Sequence, residues 1–337
     1  MTLYYRPIAQ TDPARPVAAL PLAGPWAWFT HVEELARNRA PRVIPADAVP
    51  SDSLVRLTAP RAPIAGLSLD RPRLMGILNL TPDSFSDGGE FYAHDAAMTQ
   101  AARMLDEGAD ILDLGGESTR PGAQEVPVDE EIARTVPVIA AIRAAGVTVP
   151  ISIDTRKAPV ARAALAAGAG LINDVSAFAF DPDMQGLAAE TGAPVCLMHA
   201  QGLPDTMQDN PEYTDALLDV YDSLETSVAR AEAAGIPRAR ILVDPGIGFG
   251  KRDPHNLALV ARISLFHALG CPVLLGVSRK ASIGRIGAIA DAHDRGPASA
   301  AIGLWALGQG VQMLRVHDTQ VHRQMIALWR AAARGQA

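Results

Sequence analysis

Cysteine, basic charge and long apolar runs are all scarce in this chain, and each absence excludes a class of protein. Only two cysteines occur among 337 residues, Cys196 and Cys271, both inside apolar runs, so we expect buried free thiols without a disulfide framework or zinc site. The net charge of -7 argues against a nucleic-acid partner, because such surfaces need a basic excess. Without a secretory signal or a run of about 18 apolar residues, the sequence predicts no membrane partner and a cytoplasmic location.

The composition is that of a globular protein with a sizeable core, since 48% of the residues are hydrophobic and 20% are charged. Residues 1–70 differ from the rest because they are rich in proline and lack sustained alternation of strands and helices. We interpret them as an N-terminal extension that packs on a main domain at 71–335. A short helix is expected within the extension, at 31–39.

Apolar runs typical of buried strands alternate with helical segments in the main domain. Eight strand and helix units in about 265 residues match a (β/α)8 TIM barrel, which is an α/β fold. An open doubly wound sheet is the alternative, weakened because no G-x-G-x-x-G follows the first strand. The predicted strands are 74–78, 111–114, 151–153, 171–172, 195–198, 241–243, 273–277 and 313–316. Left-handed glycine caps are expected after helices at Gly108, Gly146, Gly168, Gly235, Gly270 and Gly308.

Polar side chains follow every one of these strands. A single Asp after a strand is commonly a helix cap, but eight polar strand ends at the same mouth of a barrel favour a shared ligand. One half of this ring suits a flat nitrogen heterocycle, because it offers carboxylates, an amide and a cation: Asp154, Asn173, Asp244 and Lys280. The other half suits phosphate, because arginine forks match phosphate oxygens: Thr119, Arg120, Arg315 and His317.

Eight short motifs occur in order between about residues 72 and 330. They are N-L-T-P-D-S-F-S-D-G-G (79–89), D-L-G-G-E-S-T-R-P-G-A (113–123), I-D-T (153–155), I-N-D-V-S (172–176), M-H (198–199), D-P-G-I-G-F-G-K (244–251), S-R-K (278–280) and R-V-H-D (315–318). Together they resemble the motifs of the dihydropteroate synthase family. The resemblance implies condensation of (7,8-dihydropterin-6-yl)methyl diphosphate with 4-aminobenzoate to 7,8-dihydropteroate and diphosphate, in folate biosynthesis. It also implies a Mg²⁺ cofactor, a homodimer and inhibition by sulfonamides.

The resemblance also implies a role for individual residues at matching positions. Asp154, Asn173, Asp244 and Lys280 correspond to the pterin pocket, with Met198 as its apolar floor, and Thr119, Arg315 and His317 to the diphosphate site. Asn79 corresponds to the Mg²⁺ ligand. The aminobenzoate site corresponds to Phe85, Pro121, Phe249 and Ser278. Catalytic roles fall to Asp83, Arg120 and Lys280, with Asp83 stabilising the positive charge that develops as diphosphate leaves. Ile247 departs from the pattern, because many members have Phe at this position.

Three other functions remain open at this stage. A pterin-binding methyltransferase barrel would share the Asp, Asn and Asp pocket but would not need Thr119, Arg315 and His317. A non-catalytic pterin-binding protein and a Schiff-base aldolase using Lys280 are the others. Among the remaining polar residues, His199 could be a core histidine or a site residue, and Lys251 and His255 are expected at the surface.

Overall fold

The computed structural model describes residues 2–81, 89–118, 120, 122–202 and 206–335, and does not describe the side chains of 89–93 and 334. The N-terminal 60 residues form two small antiparallel sheets and one helix. The sheets join β1, β4 and β5 in that order, and β2 with β3. These elements are β1 (Tyr4–Pro7), β2 (Leu20–Pro21), β3 (Trp28–Phe29), β4 (His31–Ala36), β5 (Arg39–Pro45) and α1 (Ser51–Thr58).

The helix expected at 31–39 is wrong, because this segment contains β4, the central strand of the three-stranded sheet. Glu, Leu and Ala favour a helix locally, but tertiary pairing overrides such weak propensities. Val32 and Leu35 are buried, and Asn38 adopts a left-handed φ of 60° in the connection to β5. The buried Glu33 is paired with Arg6 at 2.5 Å, so the strand can bury its acidic side chains.

Specific contacts attach this segment to the main domain. The Tyr4 hydroxyl donates to the Asp222 carboxylate at 2.9 Å, and Trp26 Nε1 donates to the Leu307 carbonyl at 3.1 Å. Ser264 Oγ donates to the Pro7 carbonyl at 2.8 Å. The segment therefore packs against several barrel helices, while its boundary at residue 70 stays a prediction.

The predicted (β/α)8 barrel is confirmed. The eight parallel strands follow the order β11-β10-β9-β8-β7-β6-β13-β12, and a single parallel bridge between Val243 and Val273 joins the two ends. The strands are β6 (Arg73–Asn79), β7 (Ile111–Gly115), β8 (Ile151–Asp154), β9 (Leu171–Asp174), β10 (Val195–Met198), β11 (Ile241–Asp244), β12 (Leu274–Leu275) and β13 (Met313–Val316). The helices are α2 (Gly89–Asp106), α3 (Val128–Ala144), α4 (Ala158–Ala166), α5 (Asp183–Thr191), α6 (Ala216–Ala233), α7 (Asp253–Ala261), α8 (Ala281–Ile286), α9 (Gly296–Gly308) and α10 (Thr319–Arg334).

Glycines end most of the helices as predicted. Five of the six expected caps have positive φ, at Gly108, Gly146, Gly168, Gly235 and Gly270. The prediction for Gly308 is wrong, because this residue is the last of α9 and the left-handed position falls at Gly310, with φ 86°. None of the helices in the described part of the chain combines the length and apolar character that a membrane span requires.

The barrel interior is built in layers, and the layers place the site. Seven strands contribute an apolar cluster, which Ile64 and Leu69 from the segment before β6 complete: Met75, Ile111, Leu171, Cys196, Leu242, Leu274 and Met313. Because side chains alternate along a strand, the residue two positions further on points inward again, nearer the C-terminal mouth. Those seven positions hold Ile77, Asp113, Asn173, Met198, Asp244, Gly276 and Arg315. Alternation therefore brings four polar side chains directly above an apolar layer, those of Asp113, Asn173, Asp244 and Arg315.

Candidate active site

Arg315 joins side chains from four strands in the polar layer. Its Nε donates to Asp113 Oδ2 at 2.6 Å, and its Nη2 donates to Asp154 Oδ2 at 2.6 Å. Asn173 Nδ2 donates to the same Asp113 oxygen at 3.2 Å. The structure therefore brings together Asp154, Asn173 and Arg315, as the sequence predicted, and places Arg315 between the two expected halves of the ring.

Two carboxylate oxygens of this cluster are buried without a donor. Asp113 Oδ1 and Asp154 Oδ1 have no hydrogen-bond partner among the described residues, although the two side chains belong to residues only 0% and 7% exposed. Such oxygens are costly to bury unless a donor reaches them. Burial raises the pKa of Asp154, Arg315 opposes this effect, and the neighbouring Asp113 reinforces it. The pair therefore offers two unused acceptors to a ligand that carries N–H groups.

Asp244 and Lys280 lie in the same mouth. Asp244 is 5% exposed and accepts a hydrogen bond from the Gly246 amide at 2.7 Å; burial raises its pKa, while this bond and Lys280 lower it. Burial lowers the pKa of Lys280 to about 8, with Arg315 acting in the same direction. The Lys280 ammonium lies 4.0 Å from the centre of the Phe249 ring, a cation–π contact.

Glycine keeps this mouth open at two points. A Cβ on Gly276 would lie 3.6 Å from Asp244 Oδ2 and 3.9 Å from Arg315 Cβ. Gly246 has a φ of 67°, and a Cβ there would lie 1.9 Å from the His199 carbonyl oxygen and 3.1 Å from Met198 Cγ. Any side chain at Gly246 would therefore displace the backbone beside Met198, which is 4% exposed at the floor of the mouth.

Ser278, after β12, and His317, after β13, form a hydrogen-bonded pair. Ser278 Oγ accepts from the His317 amide at 3.1 Å and lies 3.0 Å from its Nδ1. Burial, then the Arg315 charge, lowers the pKa of His317 to about 3, so the ring is neutral near pH 7. Between Ser278 and Lys280, Arg279 adopts a left-handed φ of 58°, held by Asp318 at 2.9 Å. This strained turn aims both neighbours into the site.

Asn79 and Arg120 complete the predicted site residues that the structure describes. Asn79 ends β6 beside Gly115, is half-buried, and has no side-chain hydrogen bond to any other described residue. Arg120 is exposed, and its charge contributes to the lowered pKa of both Lys280 and His317, which places it near the mouth. The remaining predicted residues lie outside the described part of the chain: Asp83, Phe85, Thr119 and Pro121.

The expectation that Lys251 is a surface residue is wrong. It is 2% exposed, and its ammonium reaches the carbonyls of His199, Gly246 and Phe249 at 3.1, 2.9 and 3.0 Å and His199 Nδ1 at 2.8 Å. Burial lowers the pKa of His199 to about 3 and that of Lys251 to about 7. Lys251 therefore ties together the loop that presents Phe249. His255 is half-buried, with its ring 4.8 Å from that of Tyr213.

Sequence reasoning missed Asp113 and the ion pairs at the base of the second loop, which joins β7 to α3. Asp113 begins the motif at 113–123, but no role was predicted for it, although a charged residue inside the strand I-L-D-L-G was a usable signal. Glu117 and Lys157 form a buried pair at 2.6 Å, which no sequence spacing indicated because they are 40 positions apart. Ile247, which stands where many family members have Phe, is 2% exposed and packs in the main apolar core.

The fold and this mouth define a class, the (β/α)8 barrel enzymes that hold a polar ligand at the C-terminal ends of their strands. The family model for pterin binding enzymes matches residues 75–317. The chain is 46% identical over 254 residues to the dihydropteroate synthase of Escherichia coli K12, covering 75% of this chain and 89% of that one. It is 51% identical over 249 residues to a probable bifunctional folylpolyglutamate synthase/dihydropteroate synthase of Haloferax volcanii, covering 74% of this chain and 29% of that longer one.

A solved structure agrees with these relatives. The dihydropteroate synthase of Xanthomonas albilineans with 4-aminobenzoic acid superposes with a TM-score of 0.76 at 46% identity, covering 82% of this chain and 98% of that one. The chain therefore belongs to the pterin-binding enzyme family and, within it, to the dihydropteroate synthases.

Proposed function

We propose that this chain condenses (7,8-dihydropterin-6-yl)methyl diphosphate with 4-aminobenzoate to give 7,8-dihydropteroate and diphosphate, a step of folate biosynthesis. The C–O bond between the pterin methylene and the diphosphate breaks, and its electron pair leaves with the diphosphate. The arylamine nitrogen then forms the C–N bond and loses one proton. Family membership supports the reaction class, and the geometry of the mouth supports the assignment of residues to it.

The observation that carries the proposal is the pair of unused carboxylate oxygens on Asp113 and Asp154 next to Asp244 and Lys280. A pterin ring carries several N–H donors in one plane, which such acceptors hold with orientation as well as affinity. Asn173 supplies an amide to the same plane, and Met198 supplies an apolar floor. Lys280 supplies a cation for the ring oxygen or nitrogen.

The diphosphate is proposed to bind beside the pterin, at Thr119, Arg120, Arg315 and His317. Asp113 and Asp154 hold two of the Arg315 N–H groups and fix its guanidinium beside the pterin pocket, and its remaining N–H groups are proposed to reach the diphosphate. Nδ1 of the neutral His317 ring faces Ser278 Oγ at 3.0 Å, and its Nε2–H tautomer would donate a hydrogen bond to phosphate. Arg120 supplies a further positive charge for the leaving group.

Mg²⁺ fits this site as a cofactor held mainly by substrate. Among the described residues no group of three or more His, Cys, Asp or Glu side chains could hold a metal ion. Asn79, however, ends β6 at the mouth without a side-chain hydrogen bond to another described residue, and Mg²⁺ commonly takes one or two protein ligands together with phosphate oxygens and water. When bound, the ion would neutralise charge on the diphosphate.

4-Aminobenzoate is proposed to bind between Phe249 and Ser278 and the first two loops, with Phe85 and Pro121 closing the site. Phe249 is held in place by Lys280 on one side and by the Lys251 ammonium on its carbonyl. Asp83 would stabilise the positive charge that develops on the pterin methylene. Exclusion of water by the loops would protect that charge until the arylamine attacks.

The assembly proposed for this enzyme is a homodimer in the cytoplasm, with residues 1–70 as an extension packed on the barrel at 71–335. Helix α9 contains no charged residue, and its Trp305 is 55% exposed. Leu257 on the neighbouring helix α7 is 49% exposed. Exposed apolar side chains on adjacent helices are typical of a surface that pairs. Both cysteines are buried free thiols, as in reducing compartments.

A turnover assay tests the proposal. Purified protein with Mg²⁺, the pterin diphosphate and 4-aminobenzoate should form dihydropteroate and diphosphate in equal amounts, and a sulfonamide should compete with 4-aminobenzoate. Folded protein that yields no condensation product would overturn the proposal. Transfer of a methyl group from a methylated pterin to a corrinoid would instead identify the methyltransferase alternative, and borohydride trapping at Lys280 would identify an aldolase.

A further inference from the structure

A buried cluster of charges below the second loop has no role in the chemistry described so far. We define the Lys157 clasp as Lys157, Glu117, Glu131, Arg156 and the backbone of Val126. Lys157 is 3% exposed, and its ammonium lies 2.6 Å from Glu117 Oε2, 2.7 Å from Glu131 Oε2 and 2.6 Å from the Val126 carbonyl. An ammonium has three donors, and here all three have an acceptor.

The clasp joins the two ends of one loop. Glu117 Oε2 also accepts from the Val126 amide at 2.8 Å, so one carboxylate closes the segment 117–126 at its base. Glu117 Oε1 accepts from Arg156 Nε at 2.8 Å, and the Arg156 guanidinium lies 3.9 Å from the centre of the Phe180 ring. Both ends of the loop are therefore attached to the segment that directly follows β8.

The neighbouring backbone leaves this base little freedom. Arg134 Nη1 donates to the Gly116 carbonyl at 2.7 Å, and a Cβ on Gly116 would lie 2.9 Å from Thr135 Cγ2. The closed segment carries Ser118 and Arg120, and the charge of Arg120 is felt at Lys280 and His317 across the mouth. The base of the loop therefore determines how far Arg120 can reach.

We propose that Lys157 is a positioning residue for the diphosphate side of the site. By holding Glu117 and Val126 together, it fixes the base from which the loop presents Arg120. It does not contact the pterin side, because all three of its donors point into the clasp. This inference rests on the proposed function and adds a residue that acts through the loop.

The test compares two ligands and three variants. For Lys157→Met, the KM for the pterin diphosphate should rise about tenfold, because the displaced loop no longer aligns its cation. The Kd of the pterin alcohol, which lacks the diphosphate, should stay within about twofold of the wild-type value. Glu117→Gln keeps the acceptor for the Val126 amide but removes the charge, so it should show the same selective effect at smaller size.

Arg143 provides a matched structural control at the opposite end of the barrel. Like Lys157 it donates to three acceptors, but all three are carbonyls, those of Gly168, Val147 and Val149, at 3.0, 2.8 and 2.8 Å. Arg143→Met should lower the melting temperature without changing either constant. If Lys157→Met and Glu117→Gln leave the KM unchanged, or weaken the two ligands equally, the positioning role is refuted.

The proposed function and this inference fail in different ways. Wild-type protein without turnover would refute the function. The ratio of Kd values for pterin diphosphate and pterin alcohol, measured by calorimetry on the same variants, would still decide the role of Lys157. Should Lys157→Met not fold, Glu117→Gln alone decides it.

Discussion

Two aspartates three residues apart, one before β7 and one within it, differ in how completely their buried carboxylates are hydrogen-bonded. Asp110, at the N-terminal end of the barrel, accepts from Arg71 at 2.9 Å, Arg73 at 3.1 Å, Arg323 at 2.7 Å and the Leu74 amide at 2.9 Å. Asp113, at the mouth, has one oxygen engaged by Arg315 and Asn173, and the other has no donor among the residues that the structure describes. The first carboxylate is saturated, and the second is incomplete.

This difference separates a structural ion pair from a binding group. Saturation minimises the cost of burying charge, which is what a purely structural pair requires. An unpaired buried oxygen lowers the stability of the free protein. A ligand that donates to this oxygen removes the cost, so the protein binds that ligand more tightly. By this criterion Lys251 and Lys157, whose donors all have acceptors, are structural or positioning groups although they lie near the mouth.

Glu131 does not fit the criterion that an unpaired buried oxygen indicates a binding group. Its Oε1 is buried without a partner among the described residues, although it lies in the Lys157 clasp. Burial raises the pKa of Glu131, and the Glu117 charge acts in the same direction, while Lys157 opposes both. Glu131 therefore shows that an unpaired buried oxygen does not by itself mark a ligand site.

The largest expected effect is on pterin affinity at the mouth. Asp154→Asn should weaken pterin binding about 100-fold, because it removes a charge-assisted acceptor worth about 3 kcal/mol. The free energy of unfolding should change by less than about 1 kcal/mol, since the carboxylate is already incompletely paired. Calorimetric titration and urea denaturation measure the two quantities. Unchanged pterin affinity would refute the pocket assignment.

Asp110→Asn should give the opposite result. Removing this carboxylate leaves Arg71, Arg73 and Arg323 without their shared anion, and we expect a loss of about 3 kcal/mol in the free energy of unfolding. Pterin affinity of the folded protein should match the wild type, because the mouth is untouched. If Asp154→Asn and Asp110→Asn affect binding equally, or stability equally, the number of hydrogen bonds to a buried carboxylate does not distinguish a binding group from a structural one.

The sequence predicted the frame of the site because the relevant signals are local. Apolar runs located all eight strands, and alternation then brings Asp154, Asn173 and Asp244 to one mouth. The pairing of Asp113 with Arg315 was not accessible, because the two residues are 202 positions apart and meet only when the barrel closes. The burial of Lys251 was hidden for a similar reason, since its acceptors are backbone carbonyls that no side-chain pattern reports.

The error at 31–39 has a different physical origin. Its Glu, Leu and Ala residues support a helix in isolation, and only pairing with β1 and β5 makes this segment a strand. The acidic side chains of this segment are neutralised by arginines: Glu33 by Arg6 and Arg262, and Glu34 by Arg39 and Arg42. Pairing with two other strands therefore decided the local structure.

The smallest expected effect concerns an unpaired atom remote from the mouth. His267 is fully buried, its Nε2 lies 3.0 Å from the Gln309 carbonyl, and its Nδ1 has no partner among the described residues. Because the carbonyl must accept, Nε2 carries the proton and the ring is neutral. Burial, with the Arg61 charge, lowers the pKa of His267 to about 3 from an ordinary value of 6.5.

The sign of the pH dependence follows from proton counting. Between pH 6.5 and 3 the unfolded chain binds a proton at His267 and the folded chain does not, so stability falls as the pH falls. Each such histidine should contribute about 1.4 kcal/mol per pH unit in this window. His267→Gln keeps a donor for the Gln309 carbonyl but cannot titrate, so urea denaturation between pH 6.5 and 4.5 should give a shallower slope. An unchanged slope would mean that the folded protein accepts this proton, and that an unpaired atom remote from the mouth need not reduce stability at acid pH.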